Sequence, residues 1–280
     1  MGKHLRHPWV ASLAIFVVFV AVWHLLTVHG GADTAGVDPE YARLAGQSAA
    51  GKQTAAIPTP GVVAQRGYEL LRDAFDRSNP NKIGIAWHLL QSLGRVMLGF
   101  FLALIVAVPL GFALGLFPAV YQALNPFIQV LRPISPLAWM PLALYTFRDS
   151  GVSVIFIIFI CAVWPMLINT AVGAANVRQE WVNVSRVFGL GTMEHVRRII
   201  FPASVPMIMT GMRISIGIAW FVIVAAEMVG APSGIGYFIW NEWNNLQLAS
   251  MIVAIVLIGI IGLSLDTALD WIGRKLSFRE

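Results

Sequence analysis

Charged residues are scarce in this 280-residue chain. Asp, Glu, Lys and Arg together make up 12% of it, which is about half of their usual quarter. Apolar residues make up 58%, and the mean hydropathy is +0.73. The core of a soluble protein could not bury so many apolar residues. The composition therefore predicts an all-α polytopic membrane protein that lies in the lipid bilayer.

Cysteine and clustered metal ligands are also lacking. The single cysteine, Cys161, lies inside an apolar segment, so the chain can form neither an internal disulfide nor a cysteine-based zinc site. His24, His88 and His195 have no second histidine or carboxylate at metal-ligand spacing. We therefore expect no metal site and no catalytic residue.

A nucleotide-binding P-loop is absent from the sequence. Such a loop needs a lysine followed by Ser or Thr, whose amine and hydroxyl reach phosphate and magnesium. None of the four lysines is followed by either residue. The sequence therefore predicts that this chain binds no ATP and no other cofactor.

Long apolar runs account for most of the chain. We interpret them as six transmembrane helices at residues 9–28, 96–117, 124–147, 152–175, 203–229 and 248–268. An even number returns both termini to one side, and Lys3, Arg6, Arg274, Lys275 and Arg279 mark that side as cytoplasmic. This topology explains most of the net charge of +5, so nucleic acid is not expected as a partner.

Three regions follow from these runs. Residues 1–28 form an N-terminal tail and first helix, which we interpret as retained, with a cleaved signal peptide as the alternative. Residues 29–82 form a periplasmic insert, in which the stretch 30–53 lacks the apolar density to bury itself and an amphipathic helix follows Pro60. Residues 83–280 form the transmembrane core.

Prolines are concentrated in the third apolar run. Pro126, Pro133, Pro136 and Pro141 all fall within it. Because each proline removes a backbone donor and must be accommodated by neighbours or a cavity, the third span is predicted to be kinked or discontinuous and to line a pathway.

A basic, amphipathic island separates the fourth and fifth runs. This segment, residues 178–200, is called the basic loop; it contains Arg178, Arg186, Arg197 and Arg198. The positive-inside rule places it in the cytoplasm. We expect one or two short helices that turn at Gly189 and contact a soluble partner.

The spacing around Gly189 resembles a known motif. After nine intervening residues, Gly189 is followed by Ile199, one spacer, Phe201 and Pro202. This pattern resembles the "E-A-A, three residues, G, nine residues, I, x, L-P" loop of binding-protein-dependent ABC importer permeases, although Asn-Val-Ser stands at 183–185 in place of Glu-Ala-Ala and Phe201 in place of Leu. The run R-P-I-S-P-L-A-W-M-P-L at 132–142 resembles a run of the subfamily that imports small oxyanions.

The resemblance implies a type I ABC importer permease fold in a bacterial inner membrane. Its implied partners are a second copy of the chain, two cytoplasmic ABC ATPase subunits that hold ATP and magnesium, and a periplasmic substrate-binding protein. The residues that would couple to the ATPase are Arg186, Val187, Phe188, Gly189, Leu190, Gly191 and Pro202. The implied substrate is nitrate or nitrite, with bicarbonate and sulfonates such as taurine as alternatives.

Three charged residues lie in or near the apolar runs: Arg132, Arg213 and Glu227. The two arginines could form an electropositive surface for an anion, or one of them could pair with Glu227 to fix the helix bundle. An ion-coupled secondary transporter would need intramembrane acids and repeated halves, and only Glu227 qualifies. A non-transporting membrane scaffold is the remaining alternative.

Overall fold

The computed structural model describes residues 8–29, 57–77, 83–189 and 191–276, and every regular element in these residues is helical. The chain divides into two compact units. The first contains residues up to Asp73 together with Glu242–Val253, and the second contains Ala74–Asn241 and the residues from Ala254 onward.

Among its described residues, the first unit contains two complete helices. Helix α1, Pro8–His29, is apolar, and most of its described side chains face outward. Helix α2, Pro60–Arg72, begins with a proline in its first turn, where the missing N–H has no intrahelical partner to lose. Its Arg66 forms an ion pair with Glu69 at 3.0 Å and donates to Ser250 Oγ at 2.9 Å. Within the predicted insert, residues 30–56 and 78–82 lie outside the described part of the chain.

The second unit is built around three long helices that pack side by side. Its helices are α3 Ile85–Leu116, α4 Pro118–Leu131, a 3₁₀ turn Pro136–Trp139, α5 Met140–Phe147, α6 Ser150–Ala175, α7 Gln179–Val187, α8 Thr192–His195, a π-helical segment Val196–Ile200 and α9 Phe201–Gly230. Helices α10, Ile235–Asn244, and α11, Leu248–Leu276, are shared between the two units. Helix α6 packs along both α3 and α9, and its buried face forms the centre of the core.

Glycines allow α6 to approach both neighbours closely. A Cβ atom added at Gly111 of α3 would lie 2.6 Å from Thr170 Cβ, and one added at Gly211 of α9 would lie 2.9 Å from Asn169 Cβ. Thr170 and Asn169 are adjacent in α6, so the two contacts hold α6 between α3 and α9 at the same level. Small residues at such crossings provide the close van der Waals packing that stabilises helix bundles in lipid.

The third predicted span is broken, as the prolines indicated. Residues 118–131 and 136–147 form two helical arms that meet at an angle of 90°. The described residues contain five helices long and apolar enough to cross a membrane, and six spans if the bent pair counts as one. This agrees with the six predicted spans.

Two of the predicted span limits are wrong, for one physical reason. Helix α3 begins at Ile85, well before the predicted residue 96, and α11 continues to Leu276, beyond the predicted residue 268. The predicted start of α3 lay directly after Arg95, and the predicted end of α11 lay two residues before Asp270. In the structure Arg95 forms an ion pair with Glu227, and Asp270 forms one with Arg213, so these charges are compatible with a continuing helix.

Candidate functional site

The basic loop folds into two short helices that turn at Gly189. Helix α7 ends at Val187, Gly189 has a φ of +62°, and α8 begins at Thr192. A positive φ is the left-handed conformation in which glycine avoids the clash of a Cβ atom. The predicted turn at Gly189 is therefore confirmed.

The tip of this loop presents apolar side chains outward. Val187 is 85% exposed, Phe188 75% and Met193 78%. By contrast, Ser185 and Ile200 at the two ends of the loop are buried. An apolar cluster that is exposed beside basic residues is typical of a protein-binding surface. Of the other expected coupling residues, Leu190 and the side chain of Arg186 lie outside the described residues.

The loop continues into α9 without a break in backbone hydrogen bonding. The His195 N–H donates to Gly191 O at 2.9 Å, and the Phe201 N–H donates to Val196 O with π-helical spacing. Pro202 lies in the first turn of α9. Because α8, the π-helical segment and α9 form one helical path, a displacement at the loop tip would reach the core through a rigid element.

Glu227 lies at a fully buried charge site in the core. Its carboxylate accepts hydrogen bonds from Arg95 Nη1 at 2.6 Å, from the Gly236 N–H at 3.0 Å and from Ser92 Oγ at 2.7 Å. Arg95 also donates to Ser233 O at 2.7 Å. The carboxylate is 0% exposed, and these partners replace the water that it loses.

The same cluster attaches the turn after α9 to α3. Ser92 Oγ of α3 accepts a hydrogen bond from the Ile235 N–H at 2.8 Å, and His88 Nδ1 accepts one from the Gly234 N–H at 3.2 Å. A Cβ atom at Gly234 would overlap the Glu227 carboxylate, so the close approach requires glycine there. The expected pairing of Glu227 with Arg132 or Arg213 is wrong, because Arg95 occupies that position.

Arg213 is paired with two carboxylates of α11. Its Nη2 lies 2.9 Å from Asp266 Oδ2, and its Nη1 lies 2.6 Å from Asp270 Oδ1. Asp270 is also paired with Arg274. The guanidinium charge of Arg213 is therefore balanced by partly exposed carboxylates, and the arrangement favours a role in joining α9 to α11.

We expect Arg213→Ala to lower the stability of the assembled protein more than it changes substrate preference. The substitution leaves Asp266 and Asp270 without their shared cation. Because the three side chains are partly exposed, we expect a loss of roughly 1 kcal/mol, or about 2–4 °C in Tm. The measurement is the thermal midpoint of the detergent-solubilised protein, with Arg213→Lys as the charge-retaining control. An unchanged midpoint with lost uptake would instead assign Arg213 to the transport path.

Arg132 lies where the bent pair breaks, and it lines two cavities. One cavity has a volume of about 290 Å³ and includes Trp164 and Asn169 in its wall; the other has a volume of about 620 Å³ and includes Asn125 and Gln129. No carboxylate of the described residues lies within ion-pair distance of Arg132. The structure therefore separates Arg132 from Arg213 and Glu227, and the three do not form one site.

Sequence reasoning missed Arg95, Asp266 and Asp270. Arg95 and Asp270 lie just beyond predicted spans, where an unpaired charge is unremarkable, and Asp266 lies two residues before the end of one. A signal was available in the spacing of Asp266 and Asp270, which places both carboxylates on one face of a helix beside an apolar run.

No group of three or more His, Cys, Asp or Glu side chains able to hold a metal ion occurs in the described part of the chain.

Comparison with known protein sequences finds one matching family and several similar transport proteins. The profile of the family described as "binding-protein-dependent transport system inner membrane component" matches residues 92–278. The chain is 37% identical over 276 residues to the nitrate import permease protein NrtB of Leptolyngbya laminosa, covering 99% of this chain and 90% of that protein. It is 44% identical over 210 residues to NrtB of Synechocystis sp., covering 75% and 76%.

Two further similarities concern another substrate and the fold. The bicarbonate transport system permease protein CmpB of Synechococcus elongatus is 41% identical over 212 residues, covering 75% of this chain and 76% of that protein. Among solved structures, an inward-facing form of the MetNI methionine ABC transporter matches with a TM-score of 0.62 at 18% identity, covering 72% of this chain and 100% of that chain. At that identity the match indicates the fold alone, which is that of a type I ABC importer permease.

Proposed function

Because this chain belongs to the family of binding-protein-dependent transport system inner membrane components, we propose that it is the permease subunit of an ATP-driven importer of a small oxyanion, with nitrate as the main substrate. The observation that carries this proposal is the exposed apolar tip at Gly189, joined by one helical path to α9. Such an element can transmit the movement of a soluble partner to the membrane core.

The proposed assembly has three kinds of component: two copies of this chain, two ATPase subunits and one substrate-binding protein. A second copy of this chain completes the translocation path, and two ATPase subunits bind ATP and magnesium and dock on the basic loop. A substrate-binding protein delivers the anion on the opposite side. This arrangement places the basic loop and both termini in the cytoplasm, which the distribution of Lys and Arg supports.

The choice of nitrate depends on the relatives. Two NrtB proteins support it by their identity to this chain, whereas the similarity to CmpB keeps bicarbonate as the second candidate. Sulfonates such as taurine follow as a third. Nitrate and bicarbonate are anions, and taurine carries an anionic sulfonate group beside its ammonium group, so the proposal of a path that recognises an oxyanion group does not depend on the choice among them.

The alternative of an ion-coupled secondary transporter is not favoured. Such a mechanism needs a carboxylate that can exchange its ion with the pathway. Glu227, the candidate from sequence, is 0% exposed and is held by Arg95, Ser92 and the Gly236 N–H. This geometry favours a structural role for Glu227.

Reconstitution tests the proposed function. We expect the purified permease alone to hydrolyse no ATP, since it has no phosphate-binding loop, and hydrolysis and ¹⁵N-nitrate uptake to appear only when the ATPase and the loaded binding protein are present. Bicarbonate and taurine uptake are measured in the same proteoliposomes. ATP hydrolysis by the permease alone, after contaminants are removed, would contradict the proposal; uptake of bicarbonate in preference to nitrate would correct the substrate only.

A further inference from the structure

We propose that Arg132 is the anion-selecting cation of the translocation path, a role that rests on the proposed function in oxyanion import. Arg95 and Arg213 lie inside the long helices α3 and α9, and Arg132 lies at the break of the bent pair. Arg95 is neutralised by Glu227, and Arg213 by Asp266 and Asp270. Among the described residues Arg132 alone of the three has no carboxylate partner.

The position of Arg132 fits this role. It is the C-cap residue directly after the first arm of the bent pair, where its N–H donates to Ile128 O at 3.0 Å, and Pro133 follows it directly. Irregular backbone at membrane depth is tolerated where it lines a cavity. The break between the arms therefore places a cation in the walls of both cavities.

Arg132 is common to two cavities. The cavities of about 290 Å³ and about 620 Å³ share Arg132 and Ile168 in their linings. Arg132 is therefore part of the wall that an anion meets in either cavity. Ile168 adds an apolar side chain to both linings beside Arg132. Water therefore screens the charge of Arg132 less than it would in open solution.

The other lining residues add no charge but do add hydrogen-bonding groups. Neither cavity contains an Asp, Glu or Lys in its wall. The larger one includes the side chains of Tyr121, Asn125 and Gln129, and no hydrogen bond to another described residue engages them. In the smaller one the Asn169 amide donates to Pro165 O at 2.8 Å and keeps a second N–H.

This chemistry suits a small oxyanion. The guanidinium presents a planar fork of donors that matches two oxygens of a flat or tetrahedral anion, and amide and phenol groups can take the remaining oxygens. With one uncompensated positive charge and no carboxylate in either wall, cations are disfavoured. The site therefore selects by charge, while discrimination among oxyanions depends on the neutral side chains.

The charge of the cavity can be measured without transport. In a Cys161→Ala background, Ile218→Cys introduces one thiol into the wall of the smaller cavity, at a position that is 37% exposed. The complex with its ATPase subunits is treated with an anionic sulfonatoethyl and a cationic trimethylammonioethyl methanethiosulfonate reagent. We expect the anionic reagent to react about tenfold faster, relative to a free thiol in solution, because the local potential concentrates anions.

Variants at two arginines make the test specific. Adding Arg132→Gln should remove most of the tenfold preference for the anionic reagent, whereas Arg132→Lys should retain it. Arg148 lines neither cavity, so Arg148→Gln should leave the preference unchanged. A preference that survives Arg132→Gln would overturn the proposal. Failure of both reagents to react would also overturn it, because the cavity would then not be open to aqueous ions.

Uptake separates this inference from the proposed function. Wild-type importer and Arg132→Gln are compared for nitrate, bicarbonate and taurine in proteoliposomes, and we expect Arg132→Gln to lower uptake of the transported anion by about tenfold or more. Uptake within twofold of wild type would overturn the role of Arg132. If the wild type takes up none of the three anions, the proposed function fails, while the reagent preference still decides whether Arg132 sets the charge selectivity.

Discussion

Gly189→Glu is expected to lower nitrate uptake and substrate-stimulated ATP hydrolysis by about tenfold or more, which is within the usual range of coupling between two sites. Gly189 has a φ of +62°, a conformation that is unfavourable by about 1–2 kcal/mol for a residue with a Cβ atom. The new carboxylate would also lie beside the exposed Val187 and Phe188, where an apolar partner surface is proposed to dock. Both rates are measured on the reconstituted importer.

Two variants provide controls for this result. Gly189→Asn should retain much of the activity, because asparagine tolerates the left-handed conformation and adds no charge. Gly61→Glu makes the same substitution on α2, where a Cβ atom meets no other atom within 4 Å, and should leave both rates unchanged. Wild-type hydrolysis and uptake in Gly189→Glu would show that the loop tip does not couple the two processes.

Glu227→Ala is expected to cause the largest loss of stability of any single substitution considered. It removes the carboxylate that balances Arg95 and leaves that buried guanidinium with Ser233 as its remaining partner. Breaking a buried ion pair in this way is unfavourable by about 3–5 kcal/mol. The measurement is the thermal midpoint of the detergent-solubilised protein, followed by the amount that remains monodisperse after heating.

A double substitution distinguishes lost pairing from lost packing. Glu227→Leu combined with Arg95→Met removes both charges at similar volume, so we expect it to recover a part of the stability lost in Glu227→Ala. Recovery should be incomplete, because the Gly236 N–H and Ser92 Oγ lose their acceptor. If Glu227→Ala is as stable as the wild type, the cluster does not hold the turn after α9 to α3.

Much of the candidate site could be predicted from the sequence because its signals are local. The turn at Gly189 depends on one residue that tolerates a positive φ, and the break in the third span depends on prolines that cannot continue a helix. The roles of the charged residues could not be predicted in this way. Arg132, Arg213 and Glu227 look alike in sequence, as isolated charges in apolar surroundings, and only their distances to other charges separate them.

By itself, the sequence determined that this chain is a polytopic, all-α membrane protein, where its long apolar runs lie, and that a basic loop with a glycine turn separates two of them. These properties follow from the lengths of the apolar runs, the positions of the prolines and the distribution of Lys and Arg. All three can be read from neighbouring residues in the sequence without any tertiary contact. The tertiary structure decided how far α3 and α11 extend and which arginine remains unpaired, because both depend on partners more than 50 residues away: Arg95 with Glu227, 132 residues apart, and Arg213 with Asp266, 53 residues apart. A charge is unfavourable in a membrane only while it is unpaired, and pairing is a property of the packed helices.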